Sequence, residues 1–187
     1  MDGKERMTAE NTFAVAIDFQ ERILPAIAQH EEMVRKSVIL LSGLRELGVP
    51  TVLTTQYVKG LGPNIAAIAE AIGSGEAIDK TTFSVYRNET ARARIDALAA
   101  QGRRFAVIAG PETHICVLQT TLDLLAAGFV PVLAADCISS RSLVDKEFGL
   151  RRAEAAGAVV TTAEAILYEL LEDAKAPAFK AISKLVK

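Results

Sequence analysis

The sequence predicts an α/β protein: a three-layer, doubly wound sheet of six parallel strands with helices on both faces, for which 3-2-1-4-5-6 is the expected strand order though the sequence alone does not fix it. Three observations predict it. Six short apolar runs alternate with amphipathic stretches along the chain. The runs lack the polar alternation of a half-exposed strand, as expected of parallel strands covered on both sides. The stretches between them are long enough for crossover helices, and each right-handed crossover must lay its helix against the sheet.

Residues 1–11, MDGKERMTAEN, are polar and read as a flexible arm ahead of one domain over residues 12–187. Residues 13–17, FAVAI, form the first strand and deliver Asp18, Phe19 and Gln20 at its carboxyl end. A helix over 31–47 follows, with Val34, Val38, Leu41 and Leu44 on one face and Gly48 as its stop. Residues 49–55 are a second, β-branched strand. The glycines, proline and asparagine of QYVKGLGPN, residues 56–64, make a loop, and 65–72 is a short helix. Residues 77–79 form a brief third strand leading into Lys80 and TTFSVY. Asn88 caps a helix to residue 100 with Ala91, Ile95 and Leu98 inward.

The fourth strand, 105–109, ends at Gly110-Pro111. In the helix beyond it Ile115, Leu118, Leu122 and Leu125 recur at spacings of three and four, and Thr113 as its cap puts Cys116 in the first turn. The fifth strand, 129–134, leads to Asp136, and ISSRSLVDKEF is a polar loop entering a helix to residue 156. Residues 158–160 are the sixth strand, and 161–171 a helix capped by Thr162. The tail, APAFKAISKLVK, reads as an amphipathic helix docked on the body or on another subunit.

Half of the 187 residues are apolar and 24% are charged, with a net charge of −2. That balance fits an ordinary globular protein and gives no basic surface for nucleic acid or anionic lipid. No apolar run approaches the roughly 20 residues of a membrane span. The polar start lacks the apolar core of a secretory signal, so a cytoplasmic location is expected. Cys116 and Cys137 are the only cysteines, too few for a disulfide framework or a cysteine zinc site, and both are expected as reduced thiols.

In an open parallel sheet, ligands bind beyond the carboxyl ends of the strands where the strand order reverses. Asp18 follows strand one, Lys80 strand three and Cys116 strand four, which brings an acid, an amine and a thiol to one rim. The first N–H groups of a helix lack partners and carry the positive end of its dipole. A thiol there ionises more easily, and the same N–H groups can hold an oxyanion, unless Thr113 occupies the Cys116 amide. A buried structural thiol is the alternative at this position.

AIDFQERILPAI, TTQYVKGLGP, DKTTFSVY, GPETHICVLQTTLDLLAAGF and ADCISSRSLVD together resemble the isochorismatase-like cysteine hydrolases, and most of all their isochorismatase-domain-containing subgroup. The likeness covers nearly the whole chain after the arm. It implies a catalytic triad of Asp18, Lys80 and Cys116, an oxyanion hole from the amides of Glu112 and Cys116, and a cis peptide between Pro111 and Glu112. It also implies amide hydrolysis through a thioester, on a small amide or carbamoyl compound. The cysteine argues against the vinyl-ether cleavage of true isochorismatases.

Nicotinamidases of this family hold a metal after strand two, where QYVKGLGPN has neither histidine nor carboxylate. No metal and no cofactor are expected. Phe19, Gln20, Tyr57, Phe83, Thr113 and His114 are candidate substrate-pocket walls, each with packing as its alternative role. His30 reads as a solvated surface residue, Asp136 and residues 139–142 as turn-formers, and Cys137 as inert packing. A small-molecule substrate and a homo-oligomer are the expected partners. Two functions stay open: a cysteine amidohydrolase, and a catalytically silent small-molecule-binding or scaffold protein of the same fold.

Overall fold

A computed structural model describes residues 5–74 and 76–187. Strands β1 (Thr12–Ala16), β2 (Thr51–Gln56), β3 (Ile78–Lys80), β4 (Phe105–Pro111), β5 (Val130–Ser139) and β6 (Val159–Thr161) make one sheet in the order β3-β2-β1-β4-β5-β6, all parallel. The chain therefore reverses its winding direction between β1 and β4. That is the expected fold, with a crevice at the carboxyl end of those two neighbours.

Side chains along β1 alternate between two cores. Ala14 and Ala16 face α1 (His30–Glu46), α3 (Ala66–Ile72), α7 (Ala163–Leu171) and α8 (Phe179–Val186), whose Leu40, Leu44, Ile68 and Leu167 are buried there. Phe13, Val15 and Ile17 face α4 (Glu89–Ala99), α5 (Leu118–Ala126) and α6 (Leu143–Ala155), meeting Ile95, Leu98 and Leu124. Small residues on one face of β1 and large ones on the other let the two helical layers approach to different depths. The tail docks on the body: Ile182 of α8 is fully buried, and Phe179, Leu185 and Val186 pack beside it.

Several expected boundaries move. Residues 5–11 are not a loose arm, since Met7 is buried in the core, its N–H donates to Glu169 Oε1 at 3.3 Å, and Glu5 pairs with Arg104. Residues 1–4 lie outside the described residues. The loop after β2 contains one helical turn, α2 (Val58–Leu61). Strand β5 runs on to Ser139, five residues beyond the expected end, through an irregularity opposite Ile108 and Gly110. The irregularity turns Asp136 outward, and its Oδ1 accepts the Ala163 N–H at 2.9 Å. Asp136, rather than the expected Thr162, thereby caps α7. Asn88 caps α4 as expected, accepting the Ala91 N–H at 3.0 Å.

Gly110 is required by the junction of β1 and β4. Its φ is +123°, and a Cβ there would collide with the Ile17 carbonyl. This close approach brings the chain after β4 beside the chain after β1.

Candidate active site

The carboxyl ends of β1, β2, β3 and β4 bring polar groups to the crevice. Asp18 follows β1 with a left-handed φ of +53°, a conformation that aspartate tolerates better than most residues. Its Oδ1 accepts a 2.8 Å hydrogen bond from the Thr54 hydroxyl of β2, and its Oδ2 pairs with Lys80 Nζ at 2.7 Å. Lys80 closes β3, where it stands in register with Gln56 of β2. Its Nζ also donates to Gln56 Oε1 at 2.7 Å and lies 3.9 Å from Cys116 Sγ. The structure thus brings Asp18, Lys80 and Cys116 together, as the strand ends require. Asp18 and Lys80 are almost completely buried, and Cys116 keeps 8% of its surface.

Gln56 was not among the expected site residues. The available signal was its place at the carboxyl end of β2, next to the strand that delivers Asp18. It is itself held by Gln20, whose Oε1 accepts the Gln56 N–H at 2.7 Å and whose Nε2 donates to the carbonyls of Gln56 and Gly62. The lysine is therefore fixed between a carboxylate and a clamped amide, which uses two of its three donors and aims the third toward sulfur.

Cys116 does not sit in the first turn of a regular helix. Residues Thr113–Val117 form a π-helical turn ahead of α5, in which Glu112 O accepts the N–H groups of Ile115 and Val117. The Cys116 amide between them is not among its donors. Thr113 makes no cap, and its hydroxyl is buried without a partner among the described residues. The peptide between Pro111 and Glu112 is cis, and the Glu112 N–H donates to no backbone or side-chain oxygen among the described residues. A π-turn takes amides out of the regular ladder and leaves them for other acceptors.

The expected easy ionisation of the thiol is corrected. Burial, reinforced by the negative charge and hydrogen bond of Asp18, pushes the Cys116 thiol up to about 12, against the opposing pull of Lys80 and the Glu112 backbone. Desolvation outweighs the lysine, so the resting sulfur carries its proton at neutral pH. Lys80 reaches both the Cys116 sulfur and the Asp18 carboxylate, which sets a proton donor beside a group able to accept the proton.

Above these groups opens a cavity of about 430 Å³, with Asp18, Gln56 and Cys116 at its polar end. Ile23, Ile27, Leu61, Phe83 and Ile115 supply apolar wall, and Arg22 and Arg141 also line it. Of the six expected walls, only Phe83 lines this cavity. Phe19 is buried in the core, Gln20 serves as the clamp on Gln56, and Thr113 is buried under the π-turn. Tyr57 is exposed, its ring lying against Gly60, and His114 Nδ1 is 3.0 Å from the Ser140 hydroxyl. The missed walls Ile23 and Ile27 lie in the turn after β1, where apolar spacing gives no clue to which cavity they face. Among the described residues no three histidine, cysteine or acidic side chains cluster as metal ligands.

The isochorismatase domain family matches residues 12–165, most of the chain. The chain belongs to the isochorismatase family. Its sequence is 40% identical to isochorismatase domain-containing protein 1 of Salmo salar over 91% of this chain and 59% of that protein. It is 34% identical to isochorismatase domain-containing protein 2 of Danio rerio over 100% of this chain and 92% of that one. The chain thus spans about three fifths of the first relative and nearly all of the second. Among solved structures, the MAR1 ribonuclease of Caenorhabditis elegans superposes with a TM-score of 0.89 at 33% identity, over 97% of this chain and 92% of its own. These likenesses place the chain among isochorismatase-domain proteins. No helix among the described residues is long and apolar enough to cross a membrane.

Proposed function

We propose that this member of the isochorismatase family is a cysteine amidohydrolase that cleaves the C–N bond of a small amide or carbamoyl compound. The observation that carries the reading is the buried Asp18–Lys80 pair, 2.7 Å across, with its ammonium 3.9 Å from a thiol at the floor of a cavity. As sulfur attacks the carbonyl carbon, its proton passes to Asp18 and the carbonyl becomes an oxyanion held by the amides of Glu112 and Cys116. Lys80 balances the charge moving onto sulfur. Asp18 then protonates the departing nitrogen, the C–N bond breaks and a thioester remains. Asp18 next takes a proton from water, whose oxygen attacks the thioester, and the thiol is restored with release of the acid.

Screening small primary amides and carbamoyl compounds for ammonia release tests this reading. Release by the wild type and not by Asp18→Asn supports it, whereas ammonia release unaffected by Asp18→Asn contradicts it. Single-stranded RNA belongs in the same screen, because the solved Caenorhabditis elegans relative is a ribonuclease. A net charge of −2 and an apolar cavity sized for a small molecule favour the amide.

The Asp18→Asn variant also separates the base from the electrostatics. Asp18 raises the thiol pKa by charge and by hydrogen bonding. Its removal leaves Lys80 unopposed, and thiolate absorbance is expected to appear at lower pH than in the wild type. More thiolate with less turnover identifies Asp18 as the proton acceptor; a midpoint that stays or rises contradicts the role. Self-association is part of the same reading, since Leu143, Val144 and Phe148 are exposed together on α6. Light scattering that returns the mass of a single chain would contradict it.

A further inference from the structure

Resting on that reading, we infer that the substrate carries an anionic group, a carboxylate by preference, and that Arg22 is a specificity-determining residue that binds it. The charged groups lining the cavity are Asp18, Glu112, Arg22 and Arg141, with Lys80 bonded to Asp18 from beneath. Asp18 is neutralised by Lys80. Glu112 is neutralised by Arg141, whose Nε and backbone N–H both donate to Glu112 Oε2, at 3.0 and 3.1 Å. Arg22 is left over, with no carboxylate oxygen within 4.0 Å among the described residues.

Arg22 is nevertheless held in place. Its Nη1 donates to the Gly60 carbonyl at 2.8 Å, and its backbone N–H reaches the Leu61 carbonyl at 3.4 Å, so the turn after β1 is tied to α2. One edge of the guanidinium is thereby used, and the remaining donors stay free for a planar, two-oxygen acceptor. The Nη groups of Arg141 have no acceptor among the described residues, and Arg141 lines the same cavity. Ile23, Ile27, Leu61, Phe83 and Ile115 line the same cavity as the two arginines and Cys116, so a substrate with an anionic group, a short hydrocarbon body and a scissile carbonyl matches its lining.

The probes are ω-amide acids of increasing length, malonamate, succinamate and glutaramate, each compared with the neutral diamide of the same length. Binding is measured by calorimetry, and protection of Cys116 against iodoacetamide in parallel. At least one acid is expected to bind about 10-fold more tightly than its diamide, and the preference should fall to near unity in Arg22→Gln and recover in part in Arg22→Lys. Equal binding of acid and diamide at all three lengths, absence of binding, or a preference that survives Arg22→Gln overturns the inference. The hydrolase reading fails separately: anion preference with no ammonia release from any probe leaves an anion-binding cavity without an amidohydrolase.

Discussion

Replacing Cys116 by alanine is expected to lower amide turnover by at least about 10⁴-fold, the scale seen when a covalent nucleophile is removed. The fold should survive. Cys116 lies at a cavity floor with 8% of its surface accessible, and the change removes one sulfur atom from a position already bordered by open space. Melting within a few degrees of the wild type, measured on the samples used for ammonia release, separates lost chemistry from lost structure. Residual turnover above about one part in a hundred would mean that water, activated by Asp18, attacks the substrate without a sulfur intermediate. Hydroxylamine, which traps a thioester as a hydroxamate, distinguishes the two routes in the wild type.

Replacing Lys80 by methionine is expected to destabilise the protein more than any surface charge change. Lys80 and Asp18 are both almost completely buried, so removing the cation strands a carboxylate in a region that water scarcely reaches. Breaking one side of a buried pair costs about 3–5 kcal/mol. For a chain of 187 residues that corresponds to a fall in melting temperature of roughly 6–20 °C. The double variant Asp18→Asn, Lys80→Met should recover much of the loss, because no charge then remains buried. Equal melting temperatures for single and double variants at neutral pH would show that the pair contributes little.

The parallel sheet and the meeting of Asp18, Lys80 and Cys116 at one rim were legible because both follow from chain topology, whereas the strand order was the expectation for a doubly wound fold and is not fixed by the apolar runs themselves. Apolar runs without alternation mark covered parallel strands, and right-handed crossovers leave the functional ends of all strands on one side. The details that failed were those decided by tertiary contacts. Thr113 has the composition of a helix cap, yet the π-turn buries it and leaves its hydroxyl unpartnered. Asp136 reads as the end of a strand, yet β5 continues past it because the irregularity lets the carboxylate turn away to cap α7. The thiol ionisation expected from a helix N-terminus is a local argument. Desolvation at the floor of the cavity is not local, and it wins. The cavity walls were largely missed for the same reason, since Ile23, Ile27 and Arg22 reach it from a turn whose direction depends on the clamp between Gln20 and Gln56.

The most direct measurement of the central claim is the rate at which iodoacetamide alkylates Cys116 at pH 7, beside free cysteine under the same conditions. A thiol titrating near 12 with no help is ionised to only about one part in 10⁵ at that pH. Even allowing for the greater nucleophilicity of its thiolate, it should react roughly 100-fold more slowly than free cysteine. If Asp18 takes the proton as sulfur attacks and Lys80 balances the charge, Cys116 is expected to react at least as fast as free cysteine and to slow in Lys80→Ala. Alkylation at the slow rate, unchanged in Lys80→Ala, would contradict the account and leave Cys116 a buried thiol beneath a binding cavity.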